Sequence, residues 1–150
     1  PWGRPDMALF LFVKNIINKK KINVFNKGKH TRDFTYVDDI VESIYRVIFK
    51  IPKFNKKDNF TDPSKSSAPF RILNIGNNSP TKLMTYISEI EKQLNIKSKK
   101  NFLPLQKGDI ESTFASKTKL FNLTKFTPKT SVKFGIKKFI EWYKKYYKVK

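Results

Sequence analysis

Apolar side chains recur at helical spacing in the first third of the chain, where they predict two helices. The first helix should run from Asp6 or Met7 to about Lys19, and its early turns are apolar on almost every side, which favours burial on more than one face. The second helix should begin near Val37, with acidic residues in its first turn to suit the helix dipole, and Pro52 follows its end.

Three further helices are predicted in the remainder of the chain. Ser79 and Pro80 resemble an N-cap followed by proline at the first helical position, and the apolar spacing continues to Leu94. A short helix over residues 117–123 could be capped by Ser116. The last helix should start at Thr130 or Ser131.

Short extended segments alternate with these helices. Residues 22–25 and 32–36 flank a polar turn and predict a β-hairpin, and residues 71–75 and 102–105 predict further strands. The fold class is therefore α/β, with a small mixed sheet, several helices and too few strands for a complete doubly wound sheet. The whole chain, residues 1–150, is expected to form one domain with a polar loop at about residues 52–69.

Composition excludes some classes of protein. At 150 residues with 39% hydrophobic residues the chain can form one domain core, and without cysteine it has neither disulfides nor thiolate metal sites, which fits a cytoplasmic location. The longest apolar run, residues 7–13, is too short to cross a bilayer, so no membrane partner is expected. No initiator Met or signal peptide is visible, and we expect the sequence to begin inside a longer protein.

The net charge of +20 raises the possibility of a nucleic-acid partner. The lysines are scattered through every segment and accompany abundant Asn, Ile and Phe, a composition typical of an AT-rich genome. A basic nucleic-acid-binding module is therefore kept only as an alternative.

Familiar catalytic motifs are missing from the sequence. The five glycines are isolated from one another, so no phosphate-binding glycine-rich loop is present. His30, the only histidine, lies in a Lys-rich turn and is expected to be solvated, with no metal or acid-base role. Tyr146 and Lys150 have the Tyr-x-x-x-Lys spacing, but they lie at a Lys- and Tyr-rich terminus and are interpreted as coincidental. No catalytic, cofactor-binding or metal residue is assigned to this chain.

Arg32 is the best candidate for a functional residue. The chain uses lysine for most of its positive charge and has four arginines: Arg4, Arg32, Arg46 and Arg71. Arg32 lies in an extended segment that runs into a helix with an acidic start. A guanidinium offers a planar fork of donors that matches phosphate and carboxylate, so the position indicates an anion-binding role.

Five segments, in order, closely resemble the C-terminal half of nucleotide-sugar epimerases, which are extended short-chain dehydrogenase/reductases, and within them the UDP-glucuronate 4-epimerase branch. The segments are Pro1-Trp2-Gly3-Arg4-Pro5-Asp6-Met7-Ala8, Arg32-Asp33-Phe34-Thr35-Tyr36-Val37-Asp38-Asp39-Ile40-Val41, Asn74-Ile75-Gly76-Asn77, Pro104-Leu105-Gln106-Lys107-Gly108-Asp109 and Trp142-Tyr143.

The resemblance implies a UDP-sugar-binding part of an NAD-dependent epimerase of polysaccharide biosynthesis. In that family a tyrosine deprotonates the sugar 4-hydroxyl, hydride passes to NAD, and it returns to the other face of the 4-keto sugar. The Rossmann core that binds NAD, with the catalytic Tyr and Lys, would belong to an N-terminal half outside this sequence, so the isolated chain is expected to be inactive. A homodimer is one assembly that the family allows, and another UDP-sugar epimerase or dehydratase is the alternative function.

The resemblance also suggests which residues bind substrate. Arg32 matches the diphosphate-binding arginine, the alternative being a surface arginine paired with Asp33 or Asp39. Arg4 matches a second substrate arginine near the sugar carboxylate, the alternative being a salt bridge with Asp6.

The remaining matches concern the nucleoside. Val24 and Phe25 match the strand end at the uracil, and Asp6 and Met7 match positions beside the nucleotide, with core packing or N-capping as alternatives. Asp109 matches an acceptor for ribose hydroxyls or a simple turn residue. Gln106 stands where many relatives have a second phosphate arginine, and the neighbouring Lys107 supplies charge without a bidentate fork.

Overall fold

The computed structural model describes residues 4–53 and 62–149, and its contacts divide the chain into two compact units. Unit 1 comprises Pro1–Arg32, Pro80–Thr113 and Ser131–Lys150, and unit 2 comprises Asp33–Ser79 and Phe114–Thr130. Much of the predicted polar loop at residues 52–69 lies outside the described residues. The assignment of the whole chain to one substrate-binding domain stays a prediction.

The described residues contain five α-helices and four short strands. The helices are α1 (Ala8–Ile17), α2 (Val37–Ile48), α3 (Leu83–Leu94), α4 (Thr118–Thr124) and α5 (Val132–Tyr146). The strands are β1 (Ile22–Val24), β2 (Thr31–Arg32), β3 (Thr81–Lys82) and β4 (Lys100–Phe102), and a 3-10 turn spans Phe25–Gly28. All five predicted helices are present, with ends shifted by a few residues.

The core of unit 1 lies where α3 packs against α1 and α5. Its fully buried side chains come from all three helices and from β1, and they include Val13, Ile16, Ile22, Ile87, Ile90 and Ile136. The last helix begins as predicted, because Ser131 caps it: its hydroxyl accepts a hydrogen bond from the Phe134 amide at 3.2 Å.

The predicted β-hairpin is wrong. β1 pairs in parallel with β4, with Ile22 opposite Lys100, and β2 pairs antiparallel with β3, with Arg32 opposite Thr81. Between β1 and β2 the backbone is left-handed at three successive residues, Asn26, Lys27 and Gly28. This turn does not reverse the chain onto β1, whose neighbour is supplied by a segment much later in the sequence.

The start of α3 also differs from the prediction. Ser79 and Pro80 do not cap the helix, since Thr81 and Lys82 first extend as β3 and the helix begins at Leu83. This extra strand pairs with β2 and so fixes the position of Arg32. α4 likewise begins without a cap from Ser116, because its N-cap residue is Lys117.

Two aspartates connect separate segments of unit 2 by accepting backbone hydrogen bonds. Asp39 Oδ2 accepts from the amides of Lys129 and Thr130, at 3.1 and 2.8 Å. Asp33 accepts from the amides of three residues far away in the sequence: Asn78, Ser79 and Ala115. The 71–75 segment, predicted as a strand, forms among the described residues a single bridge, between Arg71 and Lys65.

The apolar face of α2 is exposed. Among the described residues its buried positions are Asp39 and Ser43, whereas large apolar side chains are about half exposed or more: Val37, Val41, Ile44, Tyr45 and Ile48. The helical period was therefore predicted correctly, but this face does not contribute to the core of unit 2. No helix in the described residues is long and apolar enough to cross a membrane.

Candidate functional site

Arg32 lies in unit 1 at the end of β2, with its side chain 27% exposed. Its Nη1 donates hydrogen bonds to the carbonyl oxygens of Thr31 and Glu111, at 3.2 and 3.0 Å, and its Nη2 donates to Asp109 Oδ1 at 3.0 Å. These three bonds orient the guanidinium and occupy three of its five N–H groups. An oriented, half-buried guanidinium with donors to spare is suited to bind an anion.

Asp109 is placed beside Arg32 by the turn that precedes it. The Asp109 amide donates to the Gln106 carbonyl oxygen at 3.2 Å, and Gly108 adopts a left-handed φ of +80°. Beyond this turn, Thr31 forms a parallel bridge with Ser112, which ties the segment to β2. The structure therefore brings together Arg32 and Asp109, whereas Gln106 lies at the exposed tip of the turn.

The interpretation of His30 as a solvated residue is wrong. His30 is 5% exposed, and its Nε2 lies 3.1 Å from Asp109 Oδ2 without the alignment of a hydrogen bond. Its backbone carbonyl accepts from the Leu83 amide at 2.8 Å, which fixes it at the start of β2. The polar local sequence concealed this burial, because the residues that cover His30 come from distant segments. One signal was available: positions 30 and 32 of an extended chain point to the same side.

The alternative pairing of Arg32 with Asp33 or Asp39 is not observed. Both carboxylates accept backbone amides within unit 2, and the carboxylate that contacts Arg32 is that of Asp109.

Arg4 and Asp6 form an exposed ion pair, with 2.5 Å between Arg4 Nη2 and Asp6 Oδ2. The hydrogen bonds that Arg4 donates to Asp6 lower the pKa of Asp6 and raise the pKa of Arg4. This is the salt bridge considered as the alternative role of Arg4. Both side chains are more than 60% exposed, so a ligand could displace the contact at little cost.

A cavity of about 240 Å³ in unit 1 brings together two more of the predicted residues. Asp6 and Phe25 both line it, along with Ala8, Leu11, Phe12, Asn15 and Asn23. Met7 is 49% exposed, and the fully buried Val24 uses its carbonyl oxygen to accept from the Leu103 amide at 2.9 Å. Asp6 does not cap α1, because the N-cap residue is Met7. The cavity combines an aromatic ring with carboxylate and amide groups.

Among the described residues, no group of three or more His, Cys, Asp or Glu side chains is suited to hold a metal ion.

Comparison with known proteins gives consistent relationships. The model of the NAD dependent epimerase/dehydratase family matches residues 1–61. Protein CapI of Staphylococcus aureus is 48% identical over 150 residues, covering 99% of this chain and 45% of that protein. The probable UDP-glucuronate 4-epimerase of Rhizobium meliloti is 44% identical over 151 residues, covering 99% of this chain and 44% of that protein.

A solved structure agrees with these relatives. The crystal structure of UDP-glucuronic acid 4-epimerase from Bacillus cereus, in complex with UDP-glucuronic acid and NAD, matches with a TM-score of 0.80 at 28% identity. The match covers 98% of this chain and 42% of that one. The α/β class is confirmed, and the fold corresponds to part of an extended short-chain dehydrogenase/reductase.

The predicted resemblance is thereby confirmed: nearly the whole chain is similar to part of proteins in the class of nucleotide-sugar epimerases. Within that class, UDP-glucuronate 4-epimerases recur among both its relatives in sequence and its relatives in structure. The chain spans a little under half the length of the curated relatives it matches.

Proposed function

We propose that this chain is the UDP-sugar-binding part of an NAD-dependent UDP-glucuronate 4-epimerase. The observation that carries the proposal is the oriented guanidinium of Arg32. Arg32 lies in a segment that resembles the family's, at the position of the diphosphate-binding arginine. Charge-assisted hydrogen bonds of this kind contribute on the order of 1.5 to 3 kcal/mol each, enough to anchor a nucleotide. The similarity of nearly the whole chain to named epimerases supports the sugar class.

In this proposal the residues of the chain bind and orient the substrate. Arg32 holds the diphosphate, Asp109 accepts from ribose hydroxyls, and Gln106 lines the phosphate side of the site. Phe25, Asp6, Met7 and the backbone of Val24 surround the base, and the cavity that Phe25 and Asp6 share supports this placement. The ion pair between Arg4 and Asp6 opens, and Arg4 then binds the carboxylate of the sugar.

The chemical step is assigned to groups outside this sequence. NAD, when bound, accepts hydride from the sugar and returns it, and we propose that the residues that bind NAD lie in the remaining length of the protein. The isolated chain should therefore bind UDP-sugars but not interconvert them. A cytoplasmic location and a homodimeric whole enzyme complete the proposal.

Titration calorimetry with UDP tests the assignment of Arg32. Arg32→Ala should weaken binding about tenfold or more, which corresponds to at least about 1.4 kcal/mol. Arg32→Lys should recover only part of the loss, because an ammonium keeps the charge but not the planar fork. Arg71→Ala, an arginine substitution in unit 2, is the matched control and should leave the affinity unchanged.

Two results would overturn the proposal. One is UDP affinity in Arg32→Ala equal to that of the unmodified chain. The other is binding of random-sequence DNA that exceeds UDP binding, falls steeply with salt and depends about equally on many lysines, as expected of a basic nucleic-acid-binding module. The sugar is tested in the same titrations: UDP-glucuronate should bind more tightly than UDP-glucose, and Arg4→Ala should abolish that difference.

A further inference from the structure

The Asp109 carboxylate lies between two side chains. One belongs to Arg32, on β2, and the other to His30, the residue before β2. One carboxylate oxygen, Oδ1, accepts a hydrogen bond from Arg32 Nη2 at 3.0 Å. The other, Oδ2, lies 3.1 Å from Nε2 of His30. In this position the carboxylate satisfies Arg32 but leaves the imidazole nitrogen buried and without a properly aligned hydrogen bond.

A buried nitrogen in this condition is unfavourable. A polar group that is removed from water and left unpaired typically costs about 1 to 3 kcal/mol. His30 is 5% exposed, so solvent is a poor substitute partner. A small rotation of the Asp109 carboxylate towards His30 would complete that bond while loosening the bond to Arg32. The Asp109 side chain is 31% exposed, which leaves it room to make this rotation.

An anionic ligand at Arg32 changes the balance between these two partners. Arg32 cannot give its full fork of donors to a diphosphate while one Nη2–H is committed to Asp109. A carboxylate that stayed beside the bound phosphates would also repel them. A bound anion and Asp109 therefore compete for Arg32, and His30 is positioned to receive the carboxylate when the anion binds.

We propose that His30 is a positioning residue. When an anion binds Arg32, the Asp109 carboxylate turns away from Arg32 and accepts a hydrogen bond from His30 Nε2. On this view, the Arg32–Asp109 pair belongs to the unliganded state, and the His30–Asp109 hydrogen bond belongs to the liganded state. The inference rests on the proposed function of Arg32 and adds a residue to which that function assigned no role. In this role His30 acts through Asp109 and not by direct contact with the anion.

Binding of inorganic pyrophosphate, measured by calorimetry at one pH, separates this role from contacts to ribose. His30→Phe keeps a planar ring of similar size but removes the donor, so pyrophosphate affinity should fall about threefold to tenfold. His30→Gln restores a donor on a flexible side chain and should return the affinity to within about twofold of the unmodified chain. Equal loss in both variants, with unchanged melting temperatures, would overturn the proposal.

A double-mutant cycle makes the dependence on Asp109 explicit. Asp109→Ala removes the competing carboxylate and should raise pyrophosphate affinity, and His30→Phe should then have no further effect. If His30→Phe weakens binding equally with and without Asp109, His30 does not act through the carboxylate and the proposal fails. Loss of Arg32 dependence altogether would instead contradict the proposed function, so the two failures are distinguishable.

Discussion

Asp109 and Glu91 each lie beside two basic side chains, but their surroundings differ. Glu91 is 5% exposed and accepts hydrogen bonds from the Ser98 amide, the Ser98 hydroxyl and the Lys100 ammonium. Asp109 is more exposed, and its two oxygens face competing partners. A buried carboxylate with three hydrogen bonds stabilises the fold, whereas the more exposed Asp109, which lacks an aligned hydrogen bond to His30, is free to change partners.

The surroundings of Glu91 predict how stability depends on pH. Burial alone would raise its pKa, but the hydrogen bonds from Lys100 and Ser98 outweigh burial and lower it from 4.5 to about 2. A carboxylate whose pKa is lower in the folded chain stabilises the fold when the pH is above its unfolded pKa. This stabilisation is lost when the pH falls below its folded pKa. The contribution, on the order of 3 kcal/mol, should therefore be complete above about pH 4.5 and be lost as the pH falls towards 2.

Urea unfolding at several pH values measures this contribution. Glu91→Gln should flatten the fall in the free energy of unfolding between about pH 4.5 and 2. Glu89→Gln, on the same helix, is the control and should leave the fall in the free energy of unfolding over this pH range unchanged. A steep acid transition that survives in Glu91→Gln would assign the effect to other carboxylates.

The position of Arg32 in a short strand ahead of an acidic helix start was predictable from the sequence, but the environment of His30 was not. A rare arginine next to an acidic helix start is a local signal. Burial of His30 depends on β3 and on the turn before Asp109, which lie about 50 and 80 residues further along the chain. A local sequence cannot predict which distant side chain will lie beside a polar residue.

Among the elements, helices were easier to predict than strand pairing. The apolar period of α2 and the Ser131 cap of α5 are contained within each helix. The partner of β1 is β4, about 78 residues away. β1 is three residues long, and its sequence does not specify which strand it pairs with. A short strand next to another short strand therefore suggested a hairpin that does not form.

Gly76 provides a test of packing between segments of unit 2. A Cβ at Gly76 would lie 2.4 Å from the Ala115 Cβ and 3.0 Å from Asp33 Oδ2. Gly76→Ala should therefore lower the free energy of unfolding by about 1 to 3 kcal/mol, because the Ala115 methyl is fixed to the backbone and cannot move aside.

The contact itself suggests the rescue experiment. Ala115→Gly, added to Gly76→Ala, should recover part of the lost free energy of unfolding in urea, relative to Ala115→Gly alone. If the double variant loses as much free energy of unfolding as the two single variants added together, the contact between the Gly76→Ala methyl and Ala115 is not the cause of the destabilisation. Gly108→Ala is the comparison for backbone strain alone, since its Cβ would meet nothing within 4 Å but φ is +80°.

For the molecule as a whole, the distribution of apolar surface is unequal. Unit 1 buries isoleucines from three helices, whereas α2 of unit 2 exposes its large apolar residues. Exposed apolar patches of this kind mark contact surfaces or sites of self-association.

The same substitution at a buried and an exposed isoleucine tests this distribution. Ile87→Ala removes a fully buried side chain and should cost about 2 to 5 kcal/mol of the free energy of unfolding. Ile44→Ala, at a position 49% exposed, should change it by less than about 1 kcal/mol. A large loss at Ile44, measured at low protein concentration, would mean that the face is covered in solution.

At rest Arg32 and Asp109 form a neutral pair, so a dianion approaching from solvent first experiences the scattered lysines and the overall charge of +20. That field decays over about 8 Å at physiological ionic strength. Under the proposed exchange, the arrival of a ligand depends on many residues and on salt, whereas its retention depends on the movement of one carboxylate at one guanidinium. Association and dissociation rates thus depend on separate sets of side chains.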